Sequence, residues 1–301
     1  MKVISLFFLL ILSSLLFNSC SEEVKPVESY ENEINTFFEK KIEALKAPRG
    51  YLRVNGLYWL EDQKTYTWGS GKTADFIFPD ASLPEITGSI SRNGSQVTLK
   101  VTGSIRVFLN DLIFTHGGIY GNDHDLGFVR AGNSEFFVIR RGNLFGIRLF
   151  QIKNKEIDAF TGAERFEINP DYKVQAQLIQ TATSDSIQVL NVLGQISTYP
   201  SPGLLEFSLL GETYLLQPQF DGEQYFLVFG DLSNKKDTYQ GGRFLYIDKV
   251  DVNGLTTIDF NKAENPPCAY NEFTTCPLPP AQNKLPIRIE VGEKRWARQG
   301  S

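Results

Sequence analysis

The first regular pattern along the chain is helical. Apolar residues between positions 31 and 46 recur at three- and four-residue spacing, while Glu and Lys fill most of the other positions. This period places the apolar residues on one face of an amphipathic helix, which we expect to pack against the rest of the protein. Pro48 and Gly50 end the helix. The apolar face consists of Ile34, Phe37, Phe38, Ile42 and Leu45.

From Tyr51 onward the pattern changes to short apolar runs separated by turn residues. The runs recur roughly every 8–12 residues, which is typical of antiparallel sandwiches and barrels. Two of the intervening segments, Arg92-Asn93-Gly94 and Arg141-Gly142-Asn143, have the composition of tight hairpin turns. The predicted strands are 51–60, 74–79, 96–101, 135–140, 144–150, 172–181, 186–193, 204–210, 212–216, 224–229, 243–247 and 286–291.

A segment at 161–171, which contains Gly162 and Pro170, separates two groups of predicted strands. We place a domain boundary there, because Gly and Pro favour irregular backbone between periodic segments. The predicted fold class is all-β, with an N-terminal sandwich and a C-terminal barrel or sandwich-like unit after one amphipathic helix. The predicted divisions are a signal peptide at 1–20, a tether and helix at 21–46, a first antiparallel β module at 47–164, and a second β module with a Cys- and Pro-rich motif at 165–298.

The N-terminus has the features of an export signal. Lys2 precedes an apolar run at 3–17, which ends in Asn18-Ser19-Cys20. A basic start, a short apolar stretch and a small residue before the break define a secretory signal, and the run is short for a membrane span. A Cys at this place resembles the lipobox of bacterial lipoproteins. The resemblance implies lipidation of Cys20 and anchoring in the cell envelope, at the outer membrane; an ordinary signal peptide with a coincidental Cys is the alternative.

The composition limits the classes of function. The chain has 301 residues, 42% of them hydrophobic and 13% aromatic, enough to bury one large core or two modest ones. Its net charge of -5 offers no basic surface to phosphates, so we do not expect a nucleic acid as partner.

Four potential metal ligands fall in one Gly-rich segment, namely His116, Asp123, His124 and Asp125. Imidazole and carboxylate groups can ligate zinc. No helical spacing sets the two His residues side by side, so a solvated loop is the favoured interpretation, and we expect neither a metal nor a cofactor. The chain also lacks the Gly-x-Ser-x-Gly motif of serine hydrolases.

The most prominent polar group surrounds the last predicted strands. Side chains alternate along a strand, so Asp259 and Asn261 should point to the same face. An unpaired carboxylate is costly to bury, and a cation is therefore required if the site is enclosed. We expect Arg243 to supply it, because a guanidinium can hold a carboxylate bidentately. The other candidate ligand-binding residues are Asn265, Asn283 and Glu293.

Cys268 and Cys276 are the cysteines that remain if Cys20 is lipidated. An even number of cysteines in an oxidising compartment predicts a disulfide. Closing so short a loop would stabilise the native state by roughly 2–3 kcal/mol. A reactive or metal-bound thiol pair is the alternative, since Pro266, Pro267 and Pro277 stiffen the backbone beside both sulfurs.

The last third of the chain carries five conspicuous motifs. They are Tyr239-Gln240-Gly241-Gly242-Arg243-Phe244-Leu245, the segment 259–270 with Asn265-Pro266-Pro267-Cys268-Ala269-Tyr270 at its end, Cys276-Pro277-Leu278-Pro279-Pro280, Asn283-Lys284-Leu285-Pro286 and Gly292-Glu293-Lys294. Together they resemble the family called domain of unknown function 1684, and the resemblance extends more weakly to 51–60. That family has no established activity, so the resemblance implies a related fold and no mechanism.

A fainter resemblance concerns the first half. Trp68-Gly69, the segment 75–80 and Gly88-Ser89-Ile90-Ser91 follow one another in an order similar to that of forkhead-associated β-sandwiches. This resemblance implies architecture alone. Those domains bind phosphothreonine with an Arg and a Ser-x-x-His pattern, and the matching position here holds no His.

Three hypotheses for the function remain open. The first is a cell-envelope protein that binds a small polar or anionic ligand, or a partner, through the second β module. The second is a hydrolase in which Asp259 or Glu293 is the general base and Arg243 steadies an oxyanion. The third is a structural lipoprotein whose polar cluster only holds the fold. We favour binding, because no acid, base and nucleophile stand at a recognisable spacing.

Overall fold

The computed structural model describes residues 29–183 and 185–296. The predicted signal peptide, Cys20 and most of the predicted tether lie outside these residues. Within them, strands dominate and are joined mostly into antiparallel sheets, which confirms the all-β class. None of the described helices is long and apolar enough to cross a membrane.

The N-terminal helix α1 spans Tyr30–Lys46. The hydroxyl of Ser29 accepts a hydrogen bond from the Asn32 N–H at 3.3 Å and so caps the first turn. Ile34, Phe38 and Leu45 are buried, as their spacing predicts. The helix is therefore amphipathic and lies against the β structure through its apolar face.

Two six-stranded sheets form the first β module, in which strands are numbered along the chain. The first sheet has the spatial order β1 (Val54–Leu60), β12 (Leu144–Gln151), β11 (Ser134–Arg141), β10 (Val129–Ala131), β6 (Val107–Leu109) and β7 (Leu112–Ile113). The second has the order β3 (Phe76–Ile77), β2 (Thr65–Gly69), β4 (Gly88–Asn93), β5 (Gln96–Val101), β8 (His116–Gly121) and β9 (His124–Asp125).

The two sheets of the first module share one core. Trp68 of one sheet meets Phe136 of the other with ring centroids 5.3 Å apart, and both side chains are fully buried. Both predicted hairpins are present, between β4 and β5 and between β11 and β12. Gly94 and Gly142 have φ near +60° there, a conformation that strongly favours glycine. This module is a sandwich, as predicted.

Three smaller sheets form the second β module. The first has the order β17 (Glu212–Leu216), β16 (Leu204–Leu209), β13 (Lys173–Ile179) and β21 (Leu255–Asp259). The second pairs β14 (Ser186–Leu190) with β15 (Ile196–Pro200), and the third has the order β18 (Gln219–Asp221), β19 (Gln224–Phe229) and β20 (Arg243–Asp248).

The second module has its own core, built from side chains of the four- and three-stranded sheets. Phe260 is fully buried between them and contacts Phe207 and Phe229 at centroid distances of 5.7 and 5.5 Å. The two cores lie on either side of segment 152–172, which contains the short helix α2 (Lys155–Asp158). The predicted boundary at 164 falls inside this segment.

The predicted strands at 96–101, 212–216 and 224–229 coincide with β5, β17 and β19. The predicted strand at 286–291 is wrong, although Ile289 and Val291 are fully buried as alternation requires. Pro286 has no N–H to donate to a ladder. The carbonyl oxygens of Ile289 and Val291 do not pair with a neighbouring strand, because both accept hydrogen bonds from the guanidinium of Arg243.

Arg243 links the C-terminal segment to the sheet. Its side chain and that of Asp231 are both fully enclosed, and their Nη2 and Oδ2 atoms lie 2.8 Å apart. Asp231 also accepts hydrogen bonds from the N–H groups of Ser233 and Ile289. A guanidinium and a carboxylate are therefore buried together, and each carries several hydrogen bonds in addition to the ion pair.

Replacing Arg243 by Ala should lower the free energy of unfolding by roughly 3–5 kcal/mol, because the Asp231 carboxylate would remain buried without its cation. Equilibrium denaturation in guanidinium chloride measures the loss. Arg106→Ala, at an exposed position in the first module, is the control and should cost less than about 0.5 kcal/mol. Similar losses in both variants would contradict the role of the buried pair.

Candidate functional site

Helix α1 is attached to the second module by polar side chains. The hydroxyl of Tyr30 donates to Asp259 Oδ1 at 2.9 Å and accepts from Asn261 Nδ2 at 2.8 Å. Burial, followed by the hydrogen bond to Asp259, raises the pKa of Tyr30, so its hydroxyl stays protonated. Glu33 forms ion pairs with Lys262 and Lys173 at 2.5 and 3.5 Å. The helix therefore covers the end of β21.

Asp259 and Asn261 lie together, as predicted, but by a different geometry. Strand β21 ends at Asp259, whose carboxylate accepts from the backbone N–H of Asn261 at 3.1 Å and so begins a 3₁₀ turn. The Asn261 side chain also binds both the N–H and the C=O of Asn169. The pair therefore ties together α1, β21 and the segment before β13.

The predicted meeting of Arg243 with Asp259 does not occur. Arg243 pairs with Asp231 instead, because the segment 285–291 lies across β20 and presents its carbonyl groups to the guanidinium. Asn283 lies apart from both Arg243 and Asp259, and its side chain forms hydrogen bonds with the backbone of Gln217 and Val228. Arg243 has no exposed surface and cannot reach a substrate, so the predicted oxyanion role is not available to it.

Glu293 and Asn265 form a second cluster beneath helix α1. Glu293 is 2% exposed and accepts from Lys41 Nζ at 2.7 Å and from the Asn265 N–H at 2.6 Å. The hydroxyl of Tyr270 also donates to this carboxylate, at 3.2 Å. Lys41 Nζ lies 3.6 Å from a second carboxylate, that of Glu264. One lysine thus forms ion pairs with two largely buried carboxylates.

In this cluster two carboxyl groups, those of Glu264 and Glu293, share the single positive charge of Lys41. Burial raises the pKa of Glu264 to about 7, the charge of Lys41 opposes the rise, and repulsion from Glu293 adds to it. Burial and the two carboxylates together raise the pKa of Tyr270. Glu264 is therefore shared between its neutral and charged forms near pH 7, which is the range in which a carboxyl group can exchange protons with a ligand.

A cavity of about 380 Å³ adjoins this cluster, between α1 and the segment 161–165. Phe38 and Ile42 of α1 form part of its wall, and Glu39, Glu293 and Arg165 contribute charged groups. Arg165 lies opposite Glu293 in an antiparallel bridge. Its Nη2 donates to Asn35 Oδ1 at 2.9 Å, and its guanidinium carbon lies 4.7 Å from the centre of the Phe38 ring. Its Nη1 is buried and has no hydrogen-bond partner among the described residues.

The predicted disulfide is absent, because Cys268 and Cys276 are free thiols. The two residues nevertheless lie side by side, and the N–H of Cys268 donates to Cys276 Sγ at 3.1 Å. The predicted disulfide is therefore not present, although the two cysteines are neighbours.

The histidine-containing segment forms β8 and β9. His116 Nδ1 lies 3.3 Å from the Leu99 carbonyl oxygen, and His124 Nδ1 lies 3.1 Å from that of Asn122. Asp123 forms an ion pair with Arg140 at 2.8 Å. Burial raises the pKa of Asp125 to about 6, while backbone hydrogen bonds oppose the rise. In the described part of the chain, no three His, Cys, Asp or Glu residues are arranged to hold a metal ion.

Residues 158–294 match the family described as "Protein of unknown function (DUF1684)". This part of the chain belongs to the family. The match covers Arg165, Glu264, Glu293 and both cysteines, and it leaves helix α1 outside. No curated protein matches the chain.

Two solved structures are similar to parts of this DUF1684 protein. The solution NMR structure of an uncharacterized protein from Haloarcula marismortui is 30% identical, with a TM-score of 0.39, and the match covers 47% of this chain and 80% of that one. The FhaA FHA domain, crystallised with the intracellular domain of another protein, is 16% identical, with a TM-score of 0.23, and the match covers 31% of this chain and 96% of that one.

Sequence reasoning missed three members of the site. Lys41 stands on the polar face of α1, and nothing in its spacing distinguishes it from the other lysines of the helix. Arg165 lies in the predicted boundary segment 161–171, where no pattern indicates a role in binding. Tyr270 ends the Asn265-to-Tyr270 motif of the DUF1684 family, and this position was the one available signal that it has a polar role.

The raised pKa of Glu264 predicts a specific pH dependence of stability. The folded state holds the proton up to about pH 7, whereas the unfolded carboxyl releases it near its ordinary value of 4.5. The free energy of unfolding should therefore fall as pH rises between these two values, by on the order of 3 kcal/mol. Glu264→Gln should abolish this component, which urea denaturation at a series of pH values would measure. Glu206→Gln, at an exposed position of β16, should leave the pH profile as in the wild type.

Proposed function

We propose that this protein binds a small organic acid in the cavity between helix α1 and the second β module. The observation that carries the proposal is Arg165, which lines the cavity and whose buried Nη1 has no hydrogen-bond partner among the described residues. A buried donor without a partner costs about 1–3 kcal/mol, more for a charged group. A carboxylate in the cavity would accept a hydrogen bond from this atom.

Arg165 is the group in the cavity wall that can hold an anion. Two carboxylates also line the cavity, the exposed Glu39 and the buried Glu293, and Glu293 is paired with Lys41 at 2.7 Å. Neither carboxylate forms an ion pair with Arg165. Asn35, which holds Nη2 of Arg165, is neutral. The guanidinium thus keeps a positive charge beside the cavity. Arginine suits a carboxylate particularly well, because its planar fork can donate two parallel hydrogen bonds.

One part of the cavity wall is apolar and offers a surface that an organic ligand can contact. Phe38 and Ile42 provide apolar surface, and Gly162 approaches Ile42 so closely that a Cβ there would lie 2.7 Å from Ile42 Cδ1. Small-molecule sites typically combine apolar walls with a few placed polar groups, within volumes of roughly 300–1,000 Å³. The cavity lies at the lower end of this range, which suits a small ligand.

Titration calorimetry of the full chain with benzoate, acetate and inorganic phosphate tests the proposal. Benzoate should bind more tightly than acetate, because its ring can contact the apolar wall, and phosphate should bind most weakly. Arg165→Gln should weaken benzoate binding by roughly tenfold or more, the effect of losing a charge-assisted hydrogen bond.

Arg106→Gln is the matched control, since it removes an exposed arginine of the first module. Unchanged benzoate affinity in Arg165→Gln, with normal denaturation behaviour, would overturn the proposal. Tight phosphate binding together with no carboxylate binding would overturn the choice of an organic acid.

We also propose that the protein is exported and anchored in the bacterial cell envelope through Cys20, with the membrane as partner through the N-terminal lipid. The apolar run that ends at Ser19-Cys20 supports this. Two or three acyl chains on one cysteine would exceed what stable anchoring requires.

Intact mass spectrometry of the protein from bacterial membranes should give a chain that begins at Cys20 and carries diacylglyceryl and acyl groups. Cys20→Ala should abolish the lipid additions and release the protein from the membrane fraction. A mature wild-type protein that begins at another residue, without lipid, would contradict the anchor.

A further inference from the structure

The backbone N–H groups of Cys268 and Cys276 each donate a hydrogen bond to the sulfur atom of the other residue. The N–H of Cys268 donates to Cys276 Sγ at 3.1 Å, and the N–H of Cys276 donates to Cys268 Sγ at 3.2 Å. Cys268 Sγ accepts a further hydrogen bond from the hydroxyl of Thr274 at 3.1 Å. The two sulfurs are therefore neighbours, and more donors converge on the sulfur of Cys268.

The surrounding loop is fixed on several sides. Pro267 begins a 3₁₀ turn that contains Cys268, and Pro277 follows Cys276 in a bridge to Asn191. The hydroxyl of Tyr239 donates to the Cys268 carbonyl oxygen at 3.2 Å. The side chain of Asn271 donates to the Tyr51 carbonyl oxygen at 2.7 Å. The cysteine loop is thus held against the first module, at the junction of the two modules.

Arg148, in strand β12 of the first module, supplies a positive charge at this junction. It is 6% exposed, its Nε is buried without a hydrogen-bond partner, and none of the ion pairs between described residues includes it. Burial and the charge of Arg141 lower the pKa of Arg148, while Tyr51, Cys276 and Cys268 oppose this effect. A buried guanidinium without an anion is unfavourable, so a negative charge on one of these sulfurs would stabilise it.

The environment distinguishes the two sulfurs. A hydrogen bond from the Cys276 thiol lowers the pKa of Cys268, and Thr274, the Cys276 N–H and Arg148 lower it further, while burial opposes them. The same contact with Cys268, together with burial, raises the pKa of Cys276. Cys268 is also half-buried, whereas Cys276 is buried at 5% exposure. The more accessible sulfur is the one that is stabilised as a thiolate.

We propose that Cys268 and Cys276 are a redox-active dithiol that reduces low-molecular-weight disulfides, with Cys268 as the attacking nucleophile and Cys276 as the resolving thiol. Arg148 is a positioning residue that stabilises the Cys268 thiolate. A thiolate beside an arginine, partly exposed and next to a second thiol, is the arrangement that thiol–disulfide exchange requires.

The reaction balances in two exchanges. The Cys268 thiolate attacks one sulfur of the disulfide RSSR, forms a mixed disulfide with it and releases RS⁻. Cys276 then loses its proton to solvent and attacks Cys268 Sγ, which forms the Cys268–Cys276 bond and releases the second RS⁻. Both leaving thiolates take up protons, so two protein thiols and RSSR give one protein disulfide and two RSH. The free thiols in this structure are the reduced state of the pair.

Oxidised glutathione is the probe, added after reduction and removal of the reductant to the full chain in a Cys20→Ala background, because Cys20 is a third thiol in the sequence. Mass spectrometry should find the intramolecular disulfide when both Cys268 and Cys276 are present, and a single glutathione adduct on Cys268 when Cys276→Ser is added. Cys268→Ser should react at least tenfold more slowly. A reverse order, with Cys276 the faster thiol, would overturn the assignment, and so would thiols that react only after denaturation.

Arg148→Met tests the positioning role, with Arg106→Met as control. The rate of Cys268 alkylation by iodoacetamide at pH 7 should fall roughly tenfold, the equivalent of one pKa unit, and its pH midpoint should rise. The other groups at this junction are Arg141, Tyr51, Tyr239 and Cys276. An unchanged midpoint would refute the role of Arg148. A native disulfide that excess dithiothreitol cannot reduce would refute the redox role and leave a structural bridge.

Discussion

The second module depends on one buried ion pair. Arg243 and Asp231 are both fully enclosed, and the arginine extends its hydrogen bonds to the carbonyl groups of Ile289 and Val291. The C-terminal segment follows the sheet without joining it as a strand, because its carbonyl groups are bound by a side chain. This attachment leads the chain to Gly292, Glu293 and Lys294, whose backbone pairs with the segment around Arg165. The geometry of the candidate cavity therefore depends on a contact deep in the core.

Helix α1 completes the cavity from outside the DUF1684 match. It contributes Phe38 and Ile42 to the wall and Lys41 to the carboxylate of Glu293. The polar residues predicted to form a single site lie apart, and they connect different segments of the chain. Asp259 and Asn261 hold the start of the helix, and Asn283 holds the backbone of Gln217, just after β17, and of Val228 in β19. The structural hypothesis fits these three residues, while Glu293 borders a space that a ligand can enter.

The junction of the two modules has a different chemistry. There the first module offers a buried arginine without a carboxylate partner among the described residues, and the second offers two adjacent sulfurs. The first module supplies the arginine and the second supplies the sulfurs, so the site exists only where the two modules meet. The cavity under α1 and the dithiol are built from different residues.

The sequence by itself located helix α1 and several of the longer strands, because helical and strand periods are local properties of the chain, but it did not reveal short strands such as β6, β10 and β18. The positions of α1, β5, β17 and β19 followed from the pattern of apolar residues. Burial also followed locally, since Ile289 and Val291 are buried even where the strand itself was wrong. The proximity of Cys268 and Cys276 followed from their short separation. Only the tertiary structure decided the pairing of charges. Arg243 meets Asp231 rather than Asp259, and Lys41 meets Glu293 across most of the chain, because the partner of a buried charge is set by which segments cross in space. No local pattern records that crossing.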